Sequence, residues 1–156
     1  LKWVNGMWLR NMDLDSYEKL VTPYINQVVK GNFNRRQIAA ILQQRAQTLA
    51  EIPEMLTFFD NFPSYSNDLF INKKMKTYPE IALKSLQASW SEEALHTTLL
   101  ALPEKLGMKN GQVLFPLRLA ITGMQFTPGG AIEISSILGK EETLRRLELS
   151  IKQLQQ

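Results

Sequence analysis

Catalysis needs groups that exchange protons or attack a carbon, and this chain is poor in them. Its one histidine, His96, follows Ser91 with no motif around it, so a Ser-His-Asp arrangement would rest on an unsupported base and His96 reads as structural or merely exposed. There is no cysteine, which removes disulfides and thiolate metal ligands, and one imidazole makes no zinc cluster. Gly129-Gly130 lacks the GK[ST] that follows in a phosphate-binding loop, so it reads as a turn needing a permissive backbone. Acidic residues are scattered, without the paired spacing of a general acid and base. The residues therefore predict neither a catalytic site nor a metal site.

Recognition of nucleic acid needs different equipment, and some of it is present. Unpaired bases stack on aromatic or guanidinium planes and hydrogen-bond along their edges, and arginine offers both a plane and a fork of donors. Arg45 lies four residues beyond Ile41 on one predicted helix; Arg118 lies on another, with Thr122 one turn later. The turn at Thr127-Pro128-Gly129 would offer backbone donors and acceptors to a base. The net charge of +3 is compatible with a polyanion. Basic residues gather as Arg35-Arg36, Lys73-Lys74-Met75-Lys76 and Arg145-Arg146, of which Arg35, Arg36, Lys73 and Lys74 are candidate phosphate contacts. From charge alone a solvated face is the favoured reading of each group over a phosphate contact.

These residues must be held by helices, because almost every interpretable segment has helical spacing. Leu14, Tyr17, Val21, Ile25, Val28 and Val29 form one stripe, with a kink expected at Pro23 and a stop at Gly31. Asn34 is the expected N-cap of a second helix with Ile38, Ile41, Leu42 and Leu49 on its apolar face. Pro53 starts a short third helix through Leu56, Phe58 and Phe59, and residues 61–77 then turn irregular, marking a boundary region. In the second half a helix carrying Ile81, Leu83 and Leu86 ends near Trp90. Ser91 reads as the N-cap of the next, with Glu92 and Glu93 in its first turn and Trp90 stapled onto Leu95. Residues 107–111 form a turn, Pro116 reads as the first position of a helix closed by Gly123, and Thr127 caps the turn that leads to Ile132, Ile134, Ile137 and Leu138. Gly139 is the expected left-handed terminator, and Leu144, Leu147, Ile151 and Leu154 mark a last amphipathic helix.

At 156 residues, 44% hydrophobic and 21% charged, the chain can bury a core and has the composition of a globular protein. No apolar run approaches the roughly 20 residues that span a bilayer. No alternating strand pair, internal repeat or low-complexity tract is visible, so the fold class expected is all-α.

Three separated segments add a resemblance. Phe115-Pro116-Leu117-Arg118-Leu119-Ala120-Ile121-Thr122-Gly123, then Thr127-Pro128-Gly129-Gly130 and Ile137-Leu138-Gly139-Lys140-Glu141, resemble the PLR-x-A-x-TG, TPG and LGKE motifs of the C-terminal anticodon-binding domain of bacterial-type glutamyl-tRNA synthetases, which are class I aminoacyl-tRNA synthetases. The opening Leu1-Lys2-Trp3-Val4-Asn5-Gly6-Met7-Trp8-Leu9-Arg10 resembles the family's KL-x-W-x-N-G-x-Y-I-R, with Trp8 in the tyrosine's place. Residues 45–54, reading Arg45-Ala46-Gln47-Thr48-Leu49-Ala50-Glu51-Ile52-Pro53-Glu54, resemble R-x-x-TL-x-E-x-PE.

That resemblance implies two small helical subdomains, 1–72 with a remnant of the stem-contact junction and 73–156, forming a helical cage around an anticodon. It implies that Arg45 reads the third anticodon base and separates tRNA-Glu from tRNA-Gln, while Arg118, Thr127, Pro128 and Gly129 line the pocket for the first two. Some relatives follow TPG with a leucine that contacts the first base; here Gly130, Ala131 and Ile132 follow, so that contact does not transfer. The HIGH-like and KMSKS-like segments that bind ATP are missing. The implied chain is thus a non-enzymatic fragment without cofactor, whose intact parent would use ATP and Mg2+ as a glutamate-tRNA ligase. Its implied partners are tRNA, with tRNA-Glu foremost, and the parent's N-terminal catalytic domain; a monomer in the bacterial cytoplasm or an organelle, off the membrane, is expected. Trp3, Asn5 and Trp8 would form the seam toward the preceding region. The competing expectation is a helical protein-interaction module without RNA specificity.

Overall fold

Helical periodicity runs through both halves of the chain, and helices follow it: about two-thirds of the protein is helical and no strand occurs among the described residues. The computed structural model describes residues 2–94 and 96–156, with side chains described from residue 6. The expected Trp90–Leu95 staple and the Trp3 and Asn5 side chains of the expected seam lie outside them; Trp8 is exposed. The chain divides into two compact units, Leu1–Asn61 with Phe126–Gly129, and Phe62–Gln125 with Gly130–Gln156. The division at Asn61 falls where the sequence becomes irregular.

The first unit holds α1 (Lys2–Asn11), α2 (Leu14–Asn26), α3 (Arg35–Arg45) and α4 (Ile52–Met55). Asp13 caps α2, its carboxylate accepting from the Ser16 N–H at 2.9 Å. Tyr17, Val21, Ile25 and Val29 then bury one stripe, and Pro23 lies within the helix as expected. Asn34 caps α3 by accepting from the Gln37 N–H at 2.9 Å. Ile38, Ile41 and Leu42 are buried, but the helix stops at Arg45 and leaves Leu49 in a turn. The cause is Glu51, whose carboxylate accepts from the Gln47 N–H at 2.7 Å and the Thr48 hydroxyl at 3.1 Å. A charged acceptor there competes with the next helical turn for the same donor. Gln43 ties the end of α1 to α3 by donating to the carbonyls of Leu9 at 3.1 Å and Met12 at 2.8 Å.

The second unit holds a 3-10 turn (Asn67–Phe70), α5 (Pro79–Ser91), α6 (His96–Leu106), α7 (Asn110–Thr122), α8 (Ala131–Leu138) and α9 (Lys140–Gln155). Ser91 is not an N-cap: α5 runs through it and closes on two left-handed residues, Glu93 at φ 60° and Ala94 at φ 49°. The Ala94 N–H donates to the Ser89 carbonyl at 2.8 Å and the Glu92 N–H to the Ala88 carbonyl at 3.0 Å. Helix-favouring residues up to Trp90 extend α5, so its C-terminal carbonyls take these donors before a new helix can begin.

Pro116 is likewise not a first-turn proline, because α7 begins six residues earlier at Asn110. Inside a helix, proline leaves the carbonyl four residues back without its partner. That carbonyl belongs to Gln112, and Ser85 of α5 donates to it at 2.9 Å. The repair is tertiary, so sequence reading misplaces the helix start. The far end of α7 is handled the same way: Arg146 donates to the Ile121 carbonyl at 2.8 Å and Ser150 to the Ala120 carbonyl at 2.9 Å. Gly123 ends α7 at φ 65°, as expected, and a Cβ there would meet the Pro63 carbonyl at 2.9 Å.

Thr127 does not cap α8. Gly130 is the capping position, its N–H bound to Glu133 Oε1 at 3.0 Å. Gly139 follows α8 with positive φ but at ψ 161°, an extended conformation open to glycine rather than the left-handed helical one expected. In α9 the fully buried positions are Thr143, Arg146, Leu147 and Ser150; Leu144, Ile151 and Leu154 are half-buried.

Candidate nucleic-acid interface

Arg45 is the last residue of α3, and its side chain points into solvent. No hydrogen bond, ion pair or ring contact joins it to another described residue. One helical turn earlier, Ile41 forms the seat for the returning turn 126–129: a Cβ on Gly129 would lie 3.1 Å from Ile41 Cγ2. Glycine is needed there because the backbone itself touches α3. Pro128 and Gly129 are buried, and the Thr127 hydroxyl donates to the Gly129 carbonyl at 2.7 Å. The accessible part of the turn is therefore Thr127 and, above all, Phe126, which is 81% exposed. Arg45 and the turn belong to the same compact unit although about eighty residues separate them in sequence.

The two basic candidates of this unit differ. Arg35 faces inward: its guanidinium donates to the carbonyls of Val29 at 2.8 Å, Gly31 at 3.0 Å and Phe33 at 2.7 Å, and to Asn26 Oδ1 at 2.9 Å. It locks the α2–α3 loop, which Asp60 braces from the other side through the N–H groups of Lys30 and Gly31. Arg36 is exposed and pairs with Asp15 at 2.5 Å and Glu18 at 3.2 Å. Hydrogen bonding to these carboxylates, Asp15 first, raises its pKa further.

In the second unit Arg118 sits on α7, donating to the carbonyls of Gln125 at 2.8 Å and Met124 at 3.3 Å. Its guanidinium lies 5.7 Å from the centre of the Phe115 ring. These contacts hold the chain after Gly123, immediately before it returns to the first unit. An open groove of about 250 Å³ runs beside it, lined by Met75, Gly111, Leu114, Phe115, Arg118 and Ala131. Lys73 and Lys74 are exposed on the turn closed by the Asn72–Thr77 bridge. That turn is anchored on the start of α7, since Gln112 donates to the Lys76 carbonyl at 3.0 Å and Met75 fills the space a Gly111 side chain would need. Lys73, Lys74 and Arg118 are thus fixed to one helix.

The Arg145-Arg146 pair is split by the fold. Arg145 remains outside, paired with Glu142 at 2.7 Å, whereas Arg146 is 1% exposed, bound to Glu142 at 2.8 Å and 5.2 Å from the centre of the Phe62 ring. Arg145 first, then Arg146, hold the Glu142 carboxyl down at about 2 against the opposing effect of burial. Arg146 is a structural cation and offers no phosphate contact.

Phe126 is the residue sequence reading missed; an aromatic directly before a Thr-Pro-Gly turn was the available signal. His96 is exposed, and no cluster of three metal-binding side chains occurs among the described residues. The fold of the described residues is all-helical and offers cationic, aromatic and backbone groups at the surface.

The chain belongs to the anticodon binding domain family, whose model matches residues 16–151. It is 44% identical to the glutamate–tRNA ligase of Clostridium tetani over 163 aligned positions, covering 99% of this chain and 33% of that protein. It is 42% identical to the glutamate–tRNA ligase of Clostridium botulinum strain Hall, with 99% and 34% covered. The chain spans about a third of the length of these relatives, and the matched third is their anticodon-binding end. The fold is similar to that of a glutamate tRNA ligase from Elizabethkingia meningosepticum, solved in complex with its amino acid, at TM-score 0.76 and 23% identity over 98% of this chain and 32% of that one. A glutamate–tRNA synthetase from Elizabethkingia anophelis gives TM-score 0.71 and 23% identity, with 97% and 31% covered.

Proposed function

We propose that this chain reads the anticodon of tRNA-Glu on behalf of a glutamate-tRNA ligase, in which a catalytic domain using ATP and Mg2+ attaches glutamate to the docked tRNA. Residues 1–72 carry Arg45, the reader of the third base; residues 73–156 carry Arg118 and the Thr127, Pro128 and Gly129 turn for the first two. Lys73 and Lys74 gather phosphates, and Arg36 joins them by exchanging a carboxylate for a phosphate. Arg35 contributes by holding the loop that precedes α3. The domain acts as a monomer in the bacterial cytoplasm or an organelle.

The observation that carries this reading is Arg45: an exposed guanidinium without a partner among the described residues, one turn from the seat of the Thr-Pro-Gly turn. Arg35, Arg36, Arg118 and Arg146 are spent on carbonyls or carboxylates, whereas the Arg45 guanidinium beside the turn is left for a ligand. A protein-interaction module without RNA specificity is not favoured by a relationship to tRNA ligases that runs the length of the chain. The test is fluorescence anisotropy of this chain with tRNA-Glu transcripts bearing cytidine or guanosine at the third anticodon position, at two salt concentrations, beside Arg45→Gln. Preference for cytidine that disappears in the variant supports the reading. Equal binding of both transcripts removes the discriminating role of Arg45, and no binding at low salt overturns the RNA reading.

A further inference from the structure

We infer that Phe126 is a stacking platform for one unpaired base of the anticodon loop, an inference that rests on the proposed function and adds to it a residue outside the Arg45, Arg118 and Thr-Pro-Gly set. Phe126 is the most exposed large apolar side chain among the described residues, at 81%. Scattered apolar residues on a surface need no explanation by themselves. What distinguishes Phe126 is that both flanks of its backbone are pinned. On one side the Arg118 guanidinium holds the Gln125 carbonyl at 2.8 Å. On the other, Thr127 closes onto the Gly129 carbonyl at 2.7 Å and Gly129 is seated on Ile41.

A ring held in water at a fixed place cannot escape by loop collapse, and its two faces remain available. Bases stack on such rings without regard to identity, because each has a π-face. Position favours the same ligand. Phe126 is three residues from Gly129, at most about 10 Å of chain, and Arg45 lies one turn, about 5.4 Å, beyond Ile41. A ring and an unengaged guanidinium in one compact unit are thus both within reach of a single nucleotide loop. Arg118 thereby gains a second role, since it positions the residue before the ring in addition to any base it meets.

The test compares Phe126→Ala, Phe126→Leu and Phe126→Trp in this chain, titrated with a tRNA-Glu transcript by anisotropy across a salt series. Phe126→Ala should weaken binding by about 10-fold, within the range measured for removal of a stacking aromatic. Phe126→Leu keeps apolar bulk without a π-face and should weaken it similarly, whereas Phe126→Trp should bind as tightly as the parent. The slope of log affinity against log salt should be the same in all four proteins, because no phosphate contact is lost. Melting temperatures should also agree, since the side chain is exposed. If the unsubstituted chain binds and the alanine and leucine variants bind equally well, the stacking role is wrong and the anticodon reading stands. If the leucine variant binds like the parent while the alanine variant does not, Phe126 is an apolar contact and not a stacking platform. If the unsubstituted chain fails to bind at low salt, the RNA reading fails and this inference with it.

Discussion

Arg146 and Arg45 are both helix arginines, yet the fold uses them in opposite ways. Arg146, on α9, is buried against Glu142, the Ile121 carbonyl and the Phe62 ring. Arg45, at the end of α3, faces water with no partner among the described residues. A buried guanidinium is tolerable only when its donors are satisfied, and once satisfied it has little left to offer a ligand. An exposed one contributes little to stability and keeps its donors for recognition. Charge in a sequence therefore locates candidates, and burial separates braces from readers.

The largest effect that would break this contrast is at Glu142. Glu142→Gln leaves Arg146 buried without its counter-charge and should cost about 3 kcal/mol, read by urea denaturation. A variant as stable as the parent would mean that Arg146 is not a brace. The same pair predicts acid sensitivity. Glu142 titrates at about 2 in the folded protein against 4.5 unperturbed, so the folded state binds fewer protons in that interval than the unfolded one. Its contribution is complete above about pH 4.5 and is lost as pH falls toward about 2. Denaturation midpoints of the parent should fall through that window, and Glu142→Gln should fall less steeply.

Arg45→Gln sharpens the other side of the comparison. Stability should stay within about 0.5 kcal/mol of the parent, while preference for cytidine at the third anticodon position should drop by about 10-fold or more. The smallest effect is a backbone one that touches neither arginine. Ala94 holds φ 49°, which costs an ordinary residue roughly 1 kcal/mol, so Ala94→Gly should raise stability by up to about that amount with RNA binding unchanged.

Much of the architecture was legible because local rules wrote it. The stripe of Tyr17, Val21 and Ile25, the Asn34 cap and the Gly123 stop are decided within a few residues of themselves, and the structure places them as the periodicity predicts. Failures cluster where a partner distant in sequence intervenes. Pro116 looks like a helix start until Ser85 is seen on the freed Gln112 carbonyl. Ser91 looks like a cap until α5 is seen to close on Glu93 and Ala94. The leucine pattern of α9 places its inner face slightly to one side, because Thr143, Arg146 and Ser150 turn inward to meet carbonyls of α7 and α8.

The candidate site divides along the same line. It was the resemblance to the family's motifs that nominated Arg45, Arg118 and the Thr127, Pro128 and Gly129 turn; residue chemistry alone showed only that arginine planes and turn backbone suit unpaired bases. Only the tertiary structure seated Gly129 on Ile41, engaged Arg118 with its own loop, turned Arg35 onto backbone carbonyls and left Phe126 in water. The physical reason is that side-chain chemistry is local, whereas solvation and the supply of hydrogen-bond partners depend on segments that meet only after folding.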